Sequence, residues 1–193
     1  MVLGLLEGKT VNLRVLERDD IDFLFECVND IDFWGEYVNP LYGQISRSEL
    51  MGNFDNPPDR AVLIEFRRFI IQKKDGTRIG IIWRFIDQPY ETMEIGYFFV
   101  PSERGKGYGT EAVQLMVDYL FLFKNIVRIQ AMTNVGNKAS QRVLEKAGFR
   151  NEGTVRKLAF VRGVWTDWYL HSILREEWKE PKILTRTTSQ SRH

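Results

Sequence analysis

The sequence predicts a single α/β (α+β) domain in which helices flank one mixed, mostly antiparallel sheet. The first observation is a series of β-type runs within residues 62–100, rich in Ile, Phe and Trp and separated by turn residues, which indicates antiparallel hairpins. The second is a strand–helix–strand pattern within residues 91–133, which indicates a crossover between parallel strands. The third is that no repeat or linker interrupts residues 10–178, so one sheet is expected to hold all the strands.

The individual elements follow from hydrophobic period and capping residues. Apolar and polar residues alternate at period two in residues 10–16, whereas residues 21–28 have helical spacing behind an acidic first turn. Ser46 and Glu49 have the spacing of a capping box, which starts a short helix. The predicted order is β-α-α-β-β-β-α-β-α-β-β, with strands at residues 10–16, 62–72, 77–86, 91–100, 126–133, 154–161 and 165–174 and helices at 21–28, 46–54, 110–123 and 137–147.

Composition and charge limit the class of protein. The chain has 193 residues, with 27 basic and 26 acidic side chains, two His and one Cys. Balanced charge does not support a nucleic-acid binder with a broad basic surface, and a single Cys excludes an intrachain disulfide framework. The apolar stretch at residues 112–123 is well short of the roughly 20 residues that span a bilayer. We expect a cytoplasmic protein that is monomeric or homodimeric and binds no metal, nucleic acid or membrane. Its domain is expected to span residues 8–178 and to be followed by a disordered tail at residues 179–193.

The most informative segment joins a predicted strand to a predicted helix and has glycine at alternate positions. It consists of Arg104, Gly105, Lys106, Gly107, Tyr108, Gly109 and Thr110. Glycine lets the backbone approach a ligand closely, and the N–H groups of a first helical turn stabilise an anion, so a phosphate or pyrophosphate site is expected. The alternative is a surface turn with two solvated charges. The glycine spacing fits neither the P-loop nor the dinucleotide fingerprint, so a nicotinamide dehydrogenase is not expected.

This segment resembles the R/Q-x-x-G-x-G/A acetyl-CoA motif of the GNAT N-acetyltransferase superfamily. A second segment, Asn137 to Ser140 followed by Leu144 to Phe149, is similar to the N-x-x-S/A…E-K-x-G-F pattern of the same family. Residues 152–178 resemble the ribosomal-protein (RimJ/RimL-type) branch. The resemblance covers most of the chain, from the first strand to Trp178, and its three motifs occur in the family's order.

The resemblance implies that acetyl-CoA is the cosubstrate and that its acetyl group passes to a primary amine by direct attack in a ternary complex. Phe98, Phe99 and Val100 would flank the pantetheine arm and the acetyl group, and a strand N–H near Phe98 or Phe99 would polarise the thioester carbonyl. Asn137 would orient the cosubstrate, and it also suits a helix N-cap. The pyrophosphate would lie on Arg104, Gly105, Lys106, Gly107, Tyr108, Gly109 and Thr110.

Two residues are predicted to take part in the chemistry. Glu94 lies where GNAT enzymes often place the general base, and burial in a sheet would raise its pKa toward that role. Many relatives have a tyrosine acid where this chain has Leu144, so Ser140 is the predicted hydrogen-bond donor to the departing thiolate. The alternatives are a solvated or ion-paired Glu94 with Glu91 as competing base, and a Ser140 that only packs. Further candidates for the thiolate donor are Tyr97 and Tyr108.

The acceptor implied by the resemblance is a protein N-terminal amine. A small polyamine or aminoglycoside is an alternative acceptor, because residues 30–59 are acidic and an acidic cleft would favour a polycation. A non-catalytic acyl-CoA sensor is the other alternative. Four aromatic residues are candidates for an acceptor groove or for the core: Trp34, Tyr37, Tyr42 and Trp83. The basic residues around the first hairpin are expected at a solvated rim: Arg67, Arg68, Lys73, Lys74 and Arg78. We expect Cys27 in the core and His171 in the sheet.

Overall fold

Eight strands and five helices form within the residues that the computed structural model describes, 5–38, 44–56, 67–87 and 92–184. The strands are β1 (Leu5–Glu7), β2 (Val11–Val15), β3 (Arg67–Lys73), β4 (Arg78–Asp87), β5 (Thr92–Phe99), β6 (Arg128–Asn134), β7 (Arg150–Val161) and β8 (Val164–Leu174). The helices are α1 (Ile21–Asn29), α2 (Ile31–Trp34), α3 (Arg47–Asp55), α4 (Tyr108–Phe123) and α5 (Lys138–Ala147). The strands form one sheet in the order β1-β2-β3-β4-β5-β6-β8-β7, which confirms the predicted fold class.

The predicted order lacked β1 and α2. β1 has three residues and α2 has four, so neither is long enough to display a hydrophobic period. The predicted start of β3 falls in residues 57–66, which lie outside the described residues. β7 begins at Arg150, four residues before its predicted start at 154, because Gly148 ends α5 with a left-handed φ of 106° and the chain re-enters the sheet at once.

Hydrophobic residues cover both faces of the sheet in two separate clusters. One cluster joins α4 and α5 to the sheet and includes Met116, and the other joins α1, α2 and α3 to the opposite face and includes Leu24. β5 contributes to both, since strand side chains alternate: Met93 and Ile95 belong to the first cluster and Phe98 to the second. Truncating a fully buried member such as Met116 to Ala costs about 2–5 kcal/mol, so the packing of the α4–α5 layer on the sheet contributes strongly to stability.

The parallel pair β5 and β6 separates after a short contact. Only Thr92 to Glu94 of β5 are in register with Arg128 to Gln130 of β6, while β6 stays paired with β8 as far as Asn134. The C-terminal half of β5 therefore has β4 on one side and an open wedge on the other. This wedge lies between the two helical layers.

The C-terminal segment packs on α4 through one buried carboxylate. Asp118, 1% exposed, accepts hydrogen bonds from the Trp178 indole and from the backbone N–H groups of Lys182, Ile183 and Leu184. Residues 181–184, within the segment expected to be a disordered tail, are thus held against the domain, and residues 185–193 lie outside the described residues.

The remaining sequence expectations concern isolated residues. Cys27 is in the core, where burial raises the pKa of its thiol to about 12, and His171 is buried in β8, where burial lowers the pKa of its imidazole. In the described part of the chain, no helix is both long and apolar enough to cross a membrane. The same part holds no group of three or more His, Cys, Asp or Glu side chains placed to hold a metal ion.

Candidate active site

A cavity of about 520 Å³ occupies the wedge between β5 and β6. Asn137, Ser140 and Leu144 of the α5 segment line one side of it. Leu24 and Leu50, from α1 and α3, line the other. The cavity therefore lies between the two helical layers, with the edges of both strands exposed to it.

The glycine-rich turn leaves open space at the start of α4. Gly105 and Gly107 have φ values of 75° and 90°, in the left-handed region that favours glycine. A Cβ atom at either position would meet no heavy atom of the described residues within 4 Å, so the space beside the turn is open in this part of the structure. The first N–H groups of the 16-residue α4 have no partner within the helix, which suits an anion. This open turn fits the pyrophosphate of acetyl-CoA.

The two basic side chains of the turn contact protein groups. The Arg104 guanidinium donates to the carbonyl of Phe99 at 3.0 Å and to the carbonyls of Asp32 at 2.9 Å and Phe33 at 2.6 Å, which ties the turn to α2. Burial lowers the pKa of Arg104, although nearby acids oppose the shift. Lys106 Nζ lies 3.0 Å from a carboxylate oxygen of Glu103. Both cations thus stay beside the turn, and Arg104 is oriented toward backbone carbonyls.

The hydrogen-bonding direction of β5 is fixed by its pairing with β4. Val100 donates its N–H to the carbonyl of Ile79 at 2.9 Å. Since these directions alternate along an antiparallel pair, Phe98 also directs its N–H toward β4, whereas Tyr97 and Phe99 direct theirs toward the wedge. Of the two residues suggested for the strand donor, the alternation favours Phe99.

Ser140 lies beside a tyrosine hydroxyl at the cavity wall. The Tyr97 hydroxyl is 2.9 Å from Ser140 Oγ, where either oxygen can be the donor, and 3.4 Å from the Ser140 carbonyl oxygen, the alternative acceptor of its proton. Burial raises the pKa of Tyr97, which keeps its hydroxyl protonated near neutral pH. Asn137 Oδ1 accepts from the Ser140 N–H at 3.0 Å, so Asn137 is the N-cap of α5 while its side chain also lines the cavity. The other candidate tyrosine, Tyr108, packs on the α4 and α5 cluster.

Glu94 is at the closed end of the wedge. It is the last residue of β5 in register with β6, it lines the cavity, and it is half-buried. Its Oε2 accepts a hydrogen bond from Gln130 Nε2 at 3.1 Å. Gln130 belongs to none of the sequence motifs, and the β5–β6 register is what brings it next to Glu94. The competing base, Glu91, lies outside the described residues.

Aromatic rings form the wall on the α1–α3 side. Trp83 stacks on Phe98 with ring centroids 5.5 Å apart and planes 21° apart, and Trp34 meets Phe98 edge-on at 4.7 Å. The Trp83 ring covers Gly96, where a Cβ atom would lie only 2.3 Å from it. Trp34 and Trp83 thus line the cavity as suggested, while Tyr37 is not among its lining residues and Tyr42 lies outside the described residues.

One basic residue is not where the sequence placed it. Arg68, expected at a solvated rim, is half-buried and lines the cavity. It lies opposite Trp83 in the β3–β4 register. A run of basic residues around a hairpin does not show which of their side chains faces a groove, because the strand register decides that.

Comparison with known proteins agrees with this geometry. The model of the acetyltransferase (GNAT) domain family matches residues 10–150. "Probable N-acetyltransferase YjcK" of Bacillus subtilis (strain 168) is 40% identical over 180 residues, which cover 90% of this chain and 98% of that protein. "Putative ribosomal N-acetyltransferase YdaF" of the same strain is 34% identical over 109 residues, covering 56% of this chain and 60% of that protein.

A solved structure extends the likeness to the whole fold. The spermidine N-acetyltransferase from Vibrio cholerae, in complex with CoA and spermine, superposes with a TM-score of 0.76 at 25% identity. The match covers 88% of this chain and 98% of that one. The chain therefore belongs to the GNAT family and is an acetyl-CoA-dependent N-acetyltransferase.

Proposed function

We propose that this enzyme acetylates the α-amine of a protein N-terminus by direct attack in a ternary complex. The observation that carries the proposal is the cavity between β5 and β6, whose walls include both Glu94 and Ser140. A proton acceptor and a hydroxyl donor thus adjoin one space. That space is continuous with the apolar side formed by α1, α2 and α3.

The cosubstrate would be held mainly by backbone groups. Acetyl-CoA supplies an acetyl thioester, whose carbonyl carbon is the electrophile. The amides of the glycine-rich turn and the first turn of α4 would hold the pyrophosphate, with Arg104 and Lys106 adding positive charge nearby. Phe98, Phe99 and Val100 would flank the pantetheine arm. The N–H of Phe99, directed into the wedge, would donate to the thioester carbonyl oxygen and stabilise the charge that develops there.

Glu94 would act as the general base. Near neutral pH an amine is mostly protonated, so it must lose a proton before its lone pair can attack. Glu94 accepts that proton directly or through one water, and the hydrogen bond from Gln130 holds one of its oxygens in a fixed direction. The nitrogen then forms the C–N bond to give a tetrahedral intermediate, whose collapse breaks the C–S bond and releases the thiolate. The second proton of the nitrogen passes to water.

Ser140 would assist the departure of the sulfur. A hydrogen bond from its hydroxyl stabilises the thiolate, which later takes a proton from solvent. The Tyr97 and Ser140 hydroxyls lie 2.9 Å apart and either can donate to the other. With the Tyr97 proton directed to Ser140 Oγ, the serine proton would be available for the thiolate. Asn137 fixes the start of α5, on which Ser140 lies.

Two observations bear on the acceptor. The likeness to YdaF, named as a putative ribosomal N-acetyltransferase, supports a protein acceptor. The resemblance to the RimJ/RimL-type branch implies that the amine is N-terminal. The likeness to the V. cholerae enzyme, named for spermidine, keeps a polyamine as the second candidate. Both acceptors present a primary amine, so the base and the thiolate donor would serve either.

Thiol release with varied acceptors tests the proposal. The panel contains N-terminal peptides of ribosomal proteins, spermidine and an aminoglycoside, each with acetyl-CoA. We expect turnover with peptides and intersecting initial-velocity lines, as a ternary complex requires. Peptides blocked at the α-amine serve as the control. Parallel lines would contradict direct attack, and CoA binding without turnover on any amine would favour the acyl-CoA sensor instead.

A further inference from the structure

The described lining of the cavity carries little charge on its α1–α3 side. Among the described residues that line the cavity, Glu94 is the one carboxylic acid and Arg68 is the one strong base. The α1–α3 side is otherwise apolar, and its lining consists of Leu24, Val28, Trp34, Val38, Leu50, Ile81, Trp83, Phe85 and Phe98. An acceptor here meets one carboxylate, one guanidinium and a large hydrocarbon surface.

The acidic residues of the segment before the first hairpin lie elsewhere. Asp30 caps α2 by accepting from the Asp32 N–H at 2.9 Å, and Asp55 accepts from Arg18 at 2.5 Å on the surface. Glu49 is exposed on α3. These acids are absent from the described lining of the cavity, and Asp59 lies outside the described residues. Within the described residues, these acids therefore do not form the acidic cleft that would favour a polycation.

A polycation would fit this surface poorly. Glu94 can pair with one ammonium group, and a second cation on the same chain would enter an apolar wall that already contains Arg68. Taking a charge out of water without a partner is costly. An apolar side chain next to the amine would instead lose water contact against Trp83 and Phe98, which are only half-buried.

We propose that the cavity selects an acceptor with a single amine attached to a large apolar side chain, as at a peptide N-terminus beginning with Leu, Met or Phe. The amine faces Glu94 and the side chain packs on the Trp83–Phe98 wall. This inference rests on the proposed N-terminal acetylation, of which it specifies the first residue.

Matched acceptors test the inference. Peptides of one sequence that begin with Leu or with Gly are compared with spermidine, by thiol release and by calorimetric binding to the CoA-bound protein. We expect kcat/KM for the Leu peptide to exceed that for the Gly peptide on the order of 10- to 100-fold, with spermidine the weakest. Calorimetry should rank the ligands in the same order, which keeps the inference testable without turnover.

Two variants locate the effect. Trp83→Leu should lower kcat/KM for the Leu peptide about tenfold more than it lowers kcat/KM for the Gly peptide. Trp165→Leu, the same change at a ring 57% exposed on the β7–β8 hairpin, should alter neither. Thermal melting checks that both variants fold. If Trp83→Leu does not fold, the comparison of the three acceptors on the wild-type enzyme still tests the inference. Equal use of the Leu and Gly peptides, or a preference for spermidine, would overturn the inference; discrimination in binding without turnover would overturn only the proposed function.

Discussion

The two sides of the β5–β6 wedge differ in chemistry. The α4–α5 side presents backbone amides and hydroxyls: the open glycine-rich turn, the Ser140–Tyr97 pair and the cap residue Asn137. The α1–α3 side presents rings and aliphatic groups around Trp83. One side suits a phosphate-bearing, amide-rich arm, and the other suits a hydrocarbon surface. Glu94 lies where the two sides meet.

This difference shows how one sheet can bring two unlike substrates together. Pairing between β5 and β6 ends at Glu94, so both strand edges become available to ligands at the same depth. Strand alternation then assigns Tyr97 and Phe99 to one face and Phe98 to the other. A short parallel contact thus creates the cavity, and the two helical layers line it with different side chains.

The largest effect is expected at the meeting point of the two sides. Glu94→Gln keeps the size of the side chain but removes the proton acceptor, and we expect kcat/KM for the amine to fall roughly 10²- to 10⁴-fold. The dissociation constant of CoA, measured by calorimetry, should not change.

The control is Glu49→Gln on the exposed surface of α3, which should behave as wild type. A loss below threefold in Glu94→Gln would show that the base lies elsewhere, for example at Glu91.

A smaller effect is expected from the hydroxyl pair on the α5 side. Ser140→Ala removes a donor to a developing thiolate, so kcat should fall roughly 10- to 100-fold while the KM for the amine stays constant. Tyr97→Phe removes only the partner of Ser140, and a loss of about 3- to 10-fold is expected. The double variant should resemble Ser140→Ala alone, because Tyr97 acts through Ser140. Additive losses would mean that the two hydroxyls act independently.

A substitution in the glycine-rich turn should weaken the binding of the cosubstrate. Gly107→Val places a branched side chain at a φ of 90° and fills the space above the α4 amides, so the dissociation constant of CoA should rise at least about tenfold. Gly163→Val is a matched control, since Gly163 has a φ of 89° and equally open surroundings in the β7–β8 turn. Both variants should melt at lower temperature, but only Gly107→Val should bind CoA weakly. Equal affinities would exclude the turn as the pyrophosphate site.

The smallest effect on catalysis is expected from breaking the Arg128–Glu152 ion pair beside the closed end of the wedge. Hydrogen bonds from Arg128 and Ser172 lower the pKa of Glu152 from 4.5 to about 2. The folded pKa is depressed, so its contribution to stability is present above about pH 4.5 and is lost as pH falls toward 2. Glu152→Gln should therefore melt below wild type at pH 7, with the difference shrinking toward pH 2, and keep its kcat.

Exposed Glu180→Gln is the control, expected to match wild type at every pH. A melting difference in Glu152→Gln that is independent of pH would assign the loss to packing.

Features set by local spacing could be predicted from the sequence, and those set by strand register could not. The glycine-rich turn, the Asn137 cap and the end of the helix at 147 each depend on a few consecutive residues, and the structure has them as predicted. The contacts Gln130–Glu94 and Tyr97–Ser140 join residues 36 and 43 positions apart. Arg104 reaches carbonyls 71 and 72 positions away in α2, an element too short to show a period.

We propose that the arm of the cosubstrate that carries the acetyl group lies in the wedge along β5. Amide hydrogen exchange by NMR, with and without CoA, tests it most directly. We predict slower exchange at the Tyr97 and Phe99 amides, which face the wedge, and no change at Phe98, whose N–H is directed toward β4. Unchanged Tyr97 and Phe99 amides in a CoA-saturated sample would contradict the claim.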